Sequence, residues 1–300
     1  MNKPFFSIIV PTYNRCYTLS RPIDSVLNQS FQNFELIIVD NGSTDATHEW
    51  LSKNYKNDKI IYSFQTGSGT PASPRNKGIS LAKGEWVCFL DSDDMWKKEK
   101  LEFTLEAIQC QSNLDVICHN ENIYYEDINK IGKISRYGPS SKRMYREMLI
   151  FGNRLSTSAT SVKIEFLKKN NLKFNETNEL ATVEDYDLWL RLAMHNANFF
   201  FLSESLGFYT VGQSNMISNS NLFCKNLENL LRIHTFFIQK FTNQKDKLWN
   251  LLRLRVSINN ILCSKVSYLI KIISILKIGL KNPFNFTIIL SGYLKKKLVS

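Results

Sequence analysis

The 300-residue chain is expected to fold as an α/β protein, with a mostly parallel central sheet flanked by helices and a helical C-terminal extension. Three features of the sequence predict this. Short, branched apolar runs alternate with helix-length segments through the first third of the chain. Polar and acidic motifs follow those runs, where a parallel sheet collects the carboxyl ends of its strands. Charge is divided along the chain: residues 225–300 hold 14 Lys and Arg against Glu228 and Asp246, a local +12, which leaves −1 for the first 224 residues.

Taken in order, Phe6–Val10, Glu35–Val39, Lys59–Phe64 and Glu85–Leu90 are short, branched and apolar, which fits strands buried on both faces. Between them Thr18–Gln29, Asp45–Tyr55 and Arg75–Ala82 have helix length, and Ser43 or Thr44 can cap the second. Lys97–Gln111 is a further helix. Strand, helix, strand, helix in this rhythm winds a parallel sheet through right-handed crossovers. Leu114–Tyr125 reads as another strand, and the pattern then loosens through 126–160. Glu184–His195 is a helix with Leu188, Trp189 and Leu192 on one face. Phe199–Leu202 and Phe208–Val211 read as two strands, and everything after about 220 as helix. A body of 1–220, divided near residue 112 into two halves, and a basic helical region of 221–300 follow from this reading.

Composition removes several classes of protein. At 43% hydrophobic and 22% charged, with 12 Gly and 7 Pro, the chain is neither disordered nor low in complexity. Its six cysteines form no C-x-x-C and no dense framework, so structural zinc and a disulfide scaffold are not expected, and a reducing compartment is the simpler reading. The four histidines lack metal-binding spacing. Nucleic acid is not an expected partner, because the excess charge sits on the tail rather than over the folded surface. The apolar run after Met1-Asn2-Lys3 stops at Pro11 with no cleavage site behind it, so a buried first strand is expected rather than a signal peptide.

Chemistry concentrates at the ends of the predicted strands. Asp91-Ser92-Asp93 leaves the fourth strand, and two carboxylates in D-x-D spacing can face one hard cation, Mg²⁺ or Mn²⁺, that also takes substrate phosphates. Taken alone, this motif reads equally as an acidic helix start. The first strand ends in Val10-Pro11-Thr12-Tyr13-Asn14-Arg15 and the second in Val39-Asp40-Asn41-Gly42. Tyr13 offers a stacking face for a base, and Asp40 an acceptor for a base N–H. Arg75 can hold base or phosphate with a fixed fork of donors. Gly67-Ser68-Gly69 lacks the third glycine of a dinucleotide site and follows the wrong strand. Glu184-Asp185 opens an amphipathic helix, a position that suits a cap and also suits a base beside a metal–phosphate site.

Together, SIIVPTYNR (7–15), SVLNQSFQNFELIIVDNGSTDAT (25–47), ASPRNKGISLAKGEWVCFLDSDDMW (72–96) and VEDYDLWLRL (183–192) resemble the family 2 glycosyltransferases over roughly residues 5–215. The order and spacing of four motifs make the resemblance specific. It implies a GT-A fold and an inverting, nucleotide-sugar-dependent transfer. Nucleotide-sugar contacts are implied for Pro11, Thr12, Tyr13, Asn14, Asp40, Arg75, Asp91, Ser92 and Asp93, with Asp91 and Asp93 binding a divalent metal, Mn²⁺ or Mg²⁺. Asp185 is the implied general base, supported by Glu184. Expected partners are a nucleotide-sugar donor, a UDP-sugar by family habit, and a glycan or glycolipid acceptor; the P-A-S-P-R-N variant resembles lipopolysaccharide and capsule enzymes. The chain departs from the family at its Tyr-x-x-His: Tyr209 is followed by Gly212, leaving Gln213, Ser214 or Asn215 as substitutes.

Two other readings carry less. A nucleotidyltransferase would open with a glycine-rich basic loop after the first strand, and Pro11-Thr12-Tyr13-Asn14 is not one. A non-catalytic binding protein would have no need of Asp91, Asp93 and Asp185 together. In the tail, Ile261, Leu262, Val266, Leu269, Ile272, Ile273, Leu276 and Leu280 share a helical face opposite Ser267, Lys271, Ser274, Lys277 and Lys281. With Lys295-Lys296-Lys297, this predicts an interfacial helix on an anionic membrane, on the cytoplasmic side of the inner membrane. A helix packed on the body with a solvated lysine face is the competing expectation.

Overall fold

A computed structural model describes residues 3–212, 220–241, 245–263, 267–281 and 283–299. Strands β1 (Phe6–Thr12), β2 (Phe34–Asp40), β3 (Ile60–Phe64) and β4 (Trp86–Phe89) pair in parallel in the order β3-β2-β1-β4. Crossovers through α1 (Ser20–Leu27), α2 (Thr47–Asn54) and α3 (Ala72–Leu81) connect them. Successive strand side chains point to opposite faces, and the core divides accordingly. Ile9, Ile37, Val39, Val87 and Phe89 join one apolar cluster, and Phe6, Ile8, Val10, Leu36, Ile38 and Cys88 the other. The apolar runs of β1, β2 and β4 are thus covered on both faces, with the buried Ser7 hydroxyl donating to Glu35, while β3 at the sheet edge is only partly buried. Neither Ser43 nor Thr44 caps α2: Ala46 is at the cap position, Asp45 Oδ1 just before it accepts the Thr47 N–H at 3.0 Å, and the Ser43 hydroxyl accepts the Asn14 N–H.

Beyond β4 the sheet is mixed. β5 (Met95–Trp96) and α4 (Lys100–Cys110) precede β6 (Val116–Tyr125), which carries β7 (Lys130–Ser135) as an antiparallel flap. α5 (Met144–Phe151), β8 (Thr160–Lys163) and α6 (Ile164–Lys169) fill the stretch where the pattern loosens. β8 sits antiparallel between β4 and β6. After α7 (Glu184–Met194) comes β9 (Phe199–Val211), one strand of 13 residues rather than two. It pairs parallel to β6 and antiparallel to β5. Ser203-Glu204-Ser205 breaks its apolar pattern, yet Asn120 Nδ2 donates to the Ser203 carbonyl at 2.8 Å and carries the ladder across a register shift.

Trp189 on α7 is fully buried, its ring 6.2 Å from those of both Phe89 and Phe174. Trp189→Ala is expected to cost about 3–5 kcal/mol in urea unfolding. Trp189→Phe should cost less, since the buried indole N–H has no hydrogen-bond partner.

The C-terminal helices are α8 (Ser220–Phe241), α9 (Lys245–Cys263), α10 (Tyr268–Lys281) and α11 (Pro283–Val299). Leu227, Leu230 and Leu231 of α8 and Leu252 of α9 enter the same core as Trp189. His234 Nε2 lies 3.1 Å from Asp187 Oδ1, and the buried Arg255 reaches the Met148 carbonyl at 3.2 Å and the Tyr186 hydroxyl at 3.1 Å. α8 and α9 are thus packed on the body, and a separate apolar cluster of Leu251, Leu254, Ile258 and Ile289 with Ile150 joins the later helices to α5. Cys224 is disulfide-bonded, whereas Cys16, Cys88, Cys110 and Cys118 are free. That bridge departs from the reading of all six as reduced thiols, because spacing along a chain does not report which helices pack side by side.

Candidate active site

The carboxyl ends of β1, β2 and β4 adjoin, with Thr12 opposite Asp40 across the first pair, and the N-terminus of α7 meets them. Asp185 and Glu184 thereby come within one side chain of the D-x-D. That side chain is Arg75. It is buried, and it donates from Nη2 to Asp91 Oδ1 at 2.5 Å and from Nη1 to Glu184 Oε1 at 2.6 Å. The Phe174 ring lies 5.3 Å from its guanidinium carbon. Both ends of the fork expected for a nucleotide are thus occupied by carboxylates, and Arg75 acts as the tie between the two motifs.

The carboxyls differ in environment. Burial pushes Glu184 up to about 8, against the pull of Arg75, and its Oε2 has no hydrogen-bond partner. Asp185 is only partly buried. Its Oδ2 accepts the Thr157 hydroxyl at 3.0 Å and its Oδ1 the Tyr186 N–H at 2.6 Å. Burial raises its pKa, and Arg75 and these two donors oppose the rise. Asp93 is raised by burial and by the charge of Asp91, while Arg15, 3.7 Å away, pulls it down. Asp94 belongs to the framework: its Oδ2 accepts Ser158 Oγ at 2.5 Å and its Oδ1 the Thr210 N–H at 2.8 Å. Ser158 Oγ in turn accepts the Asp91 N–H at 3.0 Å, which fixes the D-x-D turn against β9.

On the nucleotide side, Tyr13 is 55% exposed and presents its ring, as a stacking residue must. Pro11, Thr12 and Ser92 are buried beneath it, and the Thr12 hydroxyl has no hydrogen-bond partner. Asp40 and Asn14 both hold backbone at the strand ends. Asp40 is fully buried, accepting the Ser43 N–H of its own turn at 2.7 Å and the Tyr62 hydroxyl of β3 at 2.9 Å. Asn14 has φ 51°, and its Oδ1 accepts the Thr44 N–H at 2.8 Å. Asn14 thus ties the loop after β1 to the loop after β2, while Asp40 ties its own turn to β3. The physical reason is local: a carboxylate at the end of a buried strand finds the N–H groups of its own turn first. Asn41, which the motifs did not single out, accepts from Gln65 and Ser68 and organises the following loop. Gly42 at φ 84° lets Gly67 approach so closely that a Cβ would lie 2.6 Å from its nitrogen.

Asp91 and Asp93 supply hard oxygen donors that fit Mg²⁺ or Mn²⁺. Among the described residues no three His, Cys, Asp or Glu side chains converge to hold an ion by themselves, so the phosphates of a donor would complete the set. At the family's histidine position, a Cβ on Gly212 would lie 2.7 Å from Glu126 Oε2, and Arg21 Nη2 holds Glu126 at 2.6 Å. Glu126 thus fills the space a larger side chain would enter; Gln213, Ser214 and Asn215 lie outside the described residues. Arg15 closes the first motif, which assigns it no role, and Thr157 and Ser158 belong to no motif and come from a loop that only the fold brings here.

Residues 7–171 match the family described as Glycosyl transferase family 2. An uncharacterized glycosyltransferase of Haemophilus influenzae is 34% identical over 73% of this chain and 84% of its own length. The Escherichia coli UDP-Glc:alpha-D-GlcNAc-diphosphoundecaprenol beta-1,3-glucosyltransferase WfgD is 28% identical over 73% and 82%. In structure, S. aureus TarS 1–349, crystallised with UDP-GlcNAc, superposes with a TM-score of 0.67 at 23% identity, covering 99% of this chain and 82% of that one. The α/β architecture, with its curled sheet and flanking helices, is that of a GT-A glycosyltransferase.

Proposed function

From a chain that belongs to glycosyl transferase family 2, and is therefore a glycosyltransferase, we infer an inverting transfer of one sugar from a UDP-sugar to a hydroxyl of a bacterial surface glycan, of the lipopolysaccharide or capsule kind. The observation that carries this reading is the placement of Asp185. It is a partly buried carboxylate, aligned by Thr157 and the Tyr186 N–H, and it adjoins Glu184, which Arg75 ties to Asp91. Glu184 is less suited to be the base, because burial favours its protonated form and Arg75 holds it. Asp185 takes the proton of the acceptor hydroxyl as its oxygen bonds to the anomeric carbon. The bond from that carbon to the diphosphate breaks, and the nucleoside diphosphate leaves from the opposite side.

A divalent ion, Mn²⁺ or Mg²⁺, on Asp91 and Asp93 would act as a Lewis acid toward the leaving diphosphate. Tyr13 stacks the base, the buried Thr12 precedes it, and Arg75 holds Asp91 in place. The UDP assignment and a lipid-linked acceptor find support in the E. coli relative, a UDP-Glc:alpha-D-GlcNAc-diphosphoundecaprenol glucosyltransferase. We accordingly place the protein on the cytoplasmic face of the inner membrane, where nucleotide sugars meet such acceptors. Calorimetric titration with UDP, GDP and CDP, with and without Mn²⁺, tests the donor site. UDP is expected to bind only with metal and not to Asp93→Ala. Equal binding in EDTA would remove the metal from this account.

A further inference from the structure

We propose that the outward face of α10 docks the protein on an anionic bilayer. This builds on the membrane placement above but not on the base or donor assignments, so binding and transfer are read separately.

The helix is apolar on two sides. Ile275 and Ile278 pack inward in a cluster with Leu251, Leu254, Ile258 and Ile289. At Gly279 a Cβ would lie 2.7 Å from the Phe286 ring, which marks a close crossing with α11. Burial of that side leaves Ile272, Ile273, Leu276 and Leu280 outward, a stripe at i, i+1, i+4 and i+8. Leu276 is 54% and Leu280 82% exposed, and Phe284 at the start of α11, 76% exposed, extends the patch. Folding thus consumes one apolar side of α10 and leaves the other in water, an unusual arrangement for a surface of its own.

What covers that face is indicated by charge. Lys277 and Lys281 follow Ile273 at successive four-residue steps, and both are exposed along the edge of the stripe. No Asp or Glu occurs after Asp246. An apolar stripe bordered by lysines complements an acyl surface beneath anionic headgroups. A second copy of the same face would set lysines against lysines. Among the described residues no helix is long and apolar enough to cross a membrane, so the contact is in the plane of the interface.

The test is flotation of the full chain with phosphatidylglycerol-containing vesicles and with pure phosphatidylcholine. Expected is binding to the anionic vesicles that weakens in salt. Leu276→Asp with Leu280→Asp should reduce partitioning by at least about tenfold. Both leucines are exposed, so the thermal midpoint and UDP binding should not change. Lys277→Glu with Lys281→Glu should weaken binding and flatten its salt dependence. The proposal is overturned if the wild type fails to float, or if the leucine variant floats equally well. It is also overturned if light scattering finds a dimer that the leucine variant dissolves, for then a second copy covers the face.

Discussion

Replacing Asp185 with Asn leaves UDP binding intact and lowers turnover by about 10²–10⁴, the usual worth of a general base. The substitution keeps the shape of the side chain and its bonding partners near Thr157 and Tyr186, so a loss confined to turnover reports proton transfer and not a disturbed cleft. The pH–rate profile adds a second readout. Burial raises the Asp185 pKa. Activity in the wild type should therefore fall with decreasing pH at a midpoint above the ordinary carboxylate value, because the protonated form cannot accept the proton. Asp185→Asn should be slow at every pH, without that acid limb. A variant that retained most of its turnover would return the base assignment to Glu184 or to another group.

The second large effect concerns Arg75, expected to be as important to stability as to activity. Arg75→Met leaves Asp91 and Glu184 without their shared cation inside the protein. Losing one partner of a buried ion pair costs about 3–5 kcal/mol. The cost should depend on pH in a definite direction. Glu184, with its pKa raised to about 8 in the folded state, contributes stability below its unfolded pKa that is lost as pH rises toward 8. Without Arg75 that pKa rises further, so urea unfolding should find the variant weakest near pH 8 and partly recovered near pH 5. Arg75→Lys retains the charge but not the fork, and one ammonium cannot make the same two contacts. It is expected to restore part of the stability and little of the turnover. Equal loss at both pH values in Arg75→Met would mean that packing against Phe174, not charge, is what the residue supplies.

Much of this site is legible in the chain, for identifiable reasons. Asp91, Asp93 and Asp185 stand next to regular elements whose apolar patterns are strong, so their positions at the sheet edge follow from counting strands. Tyr13 was legible because it follows a buried strand directly. The bonds that Asp40 and Asn14 make at the strand ends were not legible, since a motif records which groups are present and not which neighbour they bond. Arg15 stood in the first motif without an assigned role, and Thr157 and Ser158 left no signal at all. The latter two lie in a loop, and only the antiparallel insertion of β8 between β4 and β6 carries them to the D-x-D.

The alternation of apolar runs with helical segments was enough to require a parallel α/β half, because a strand apolar at every position has to be covered on both faces. The apolar periodicity of α10 was likewise written in its residues, and Ile272, Ile273, Leu276 and Leu280 do lie exposed. Packing determined the rest: that Arg75 joins the two acidic motifs, that Glu126 occupies the space beside Gly212, and that α8 and α9 enter the main core while one side of α10 does not. Each of these depends on which groups become neighbours across long separations. Apolar burial drives that choice without direction, whereas the periodicity of a chain describes only neighbours a few residues apart.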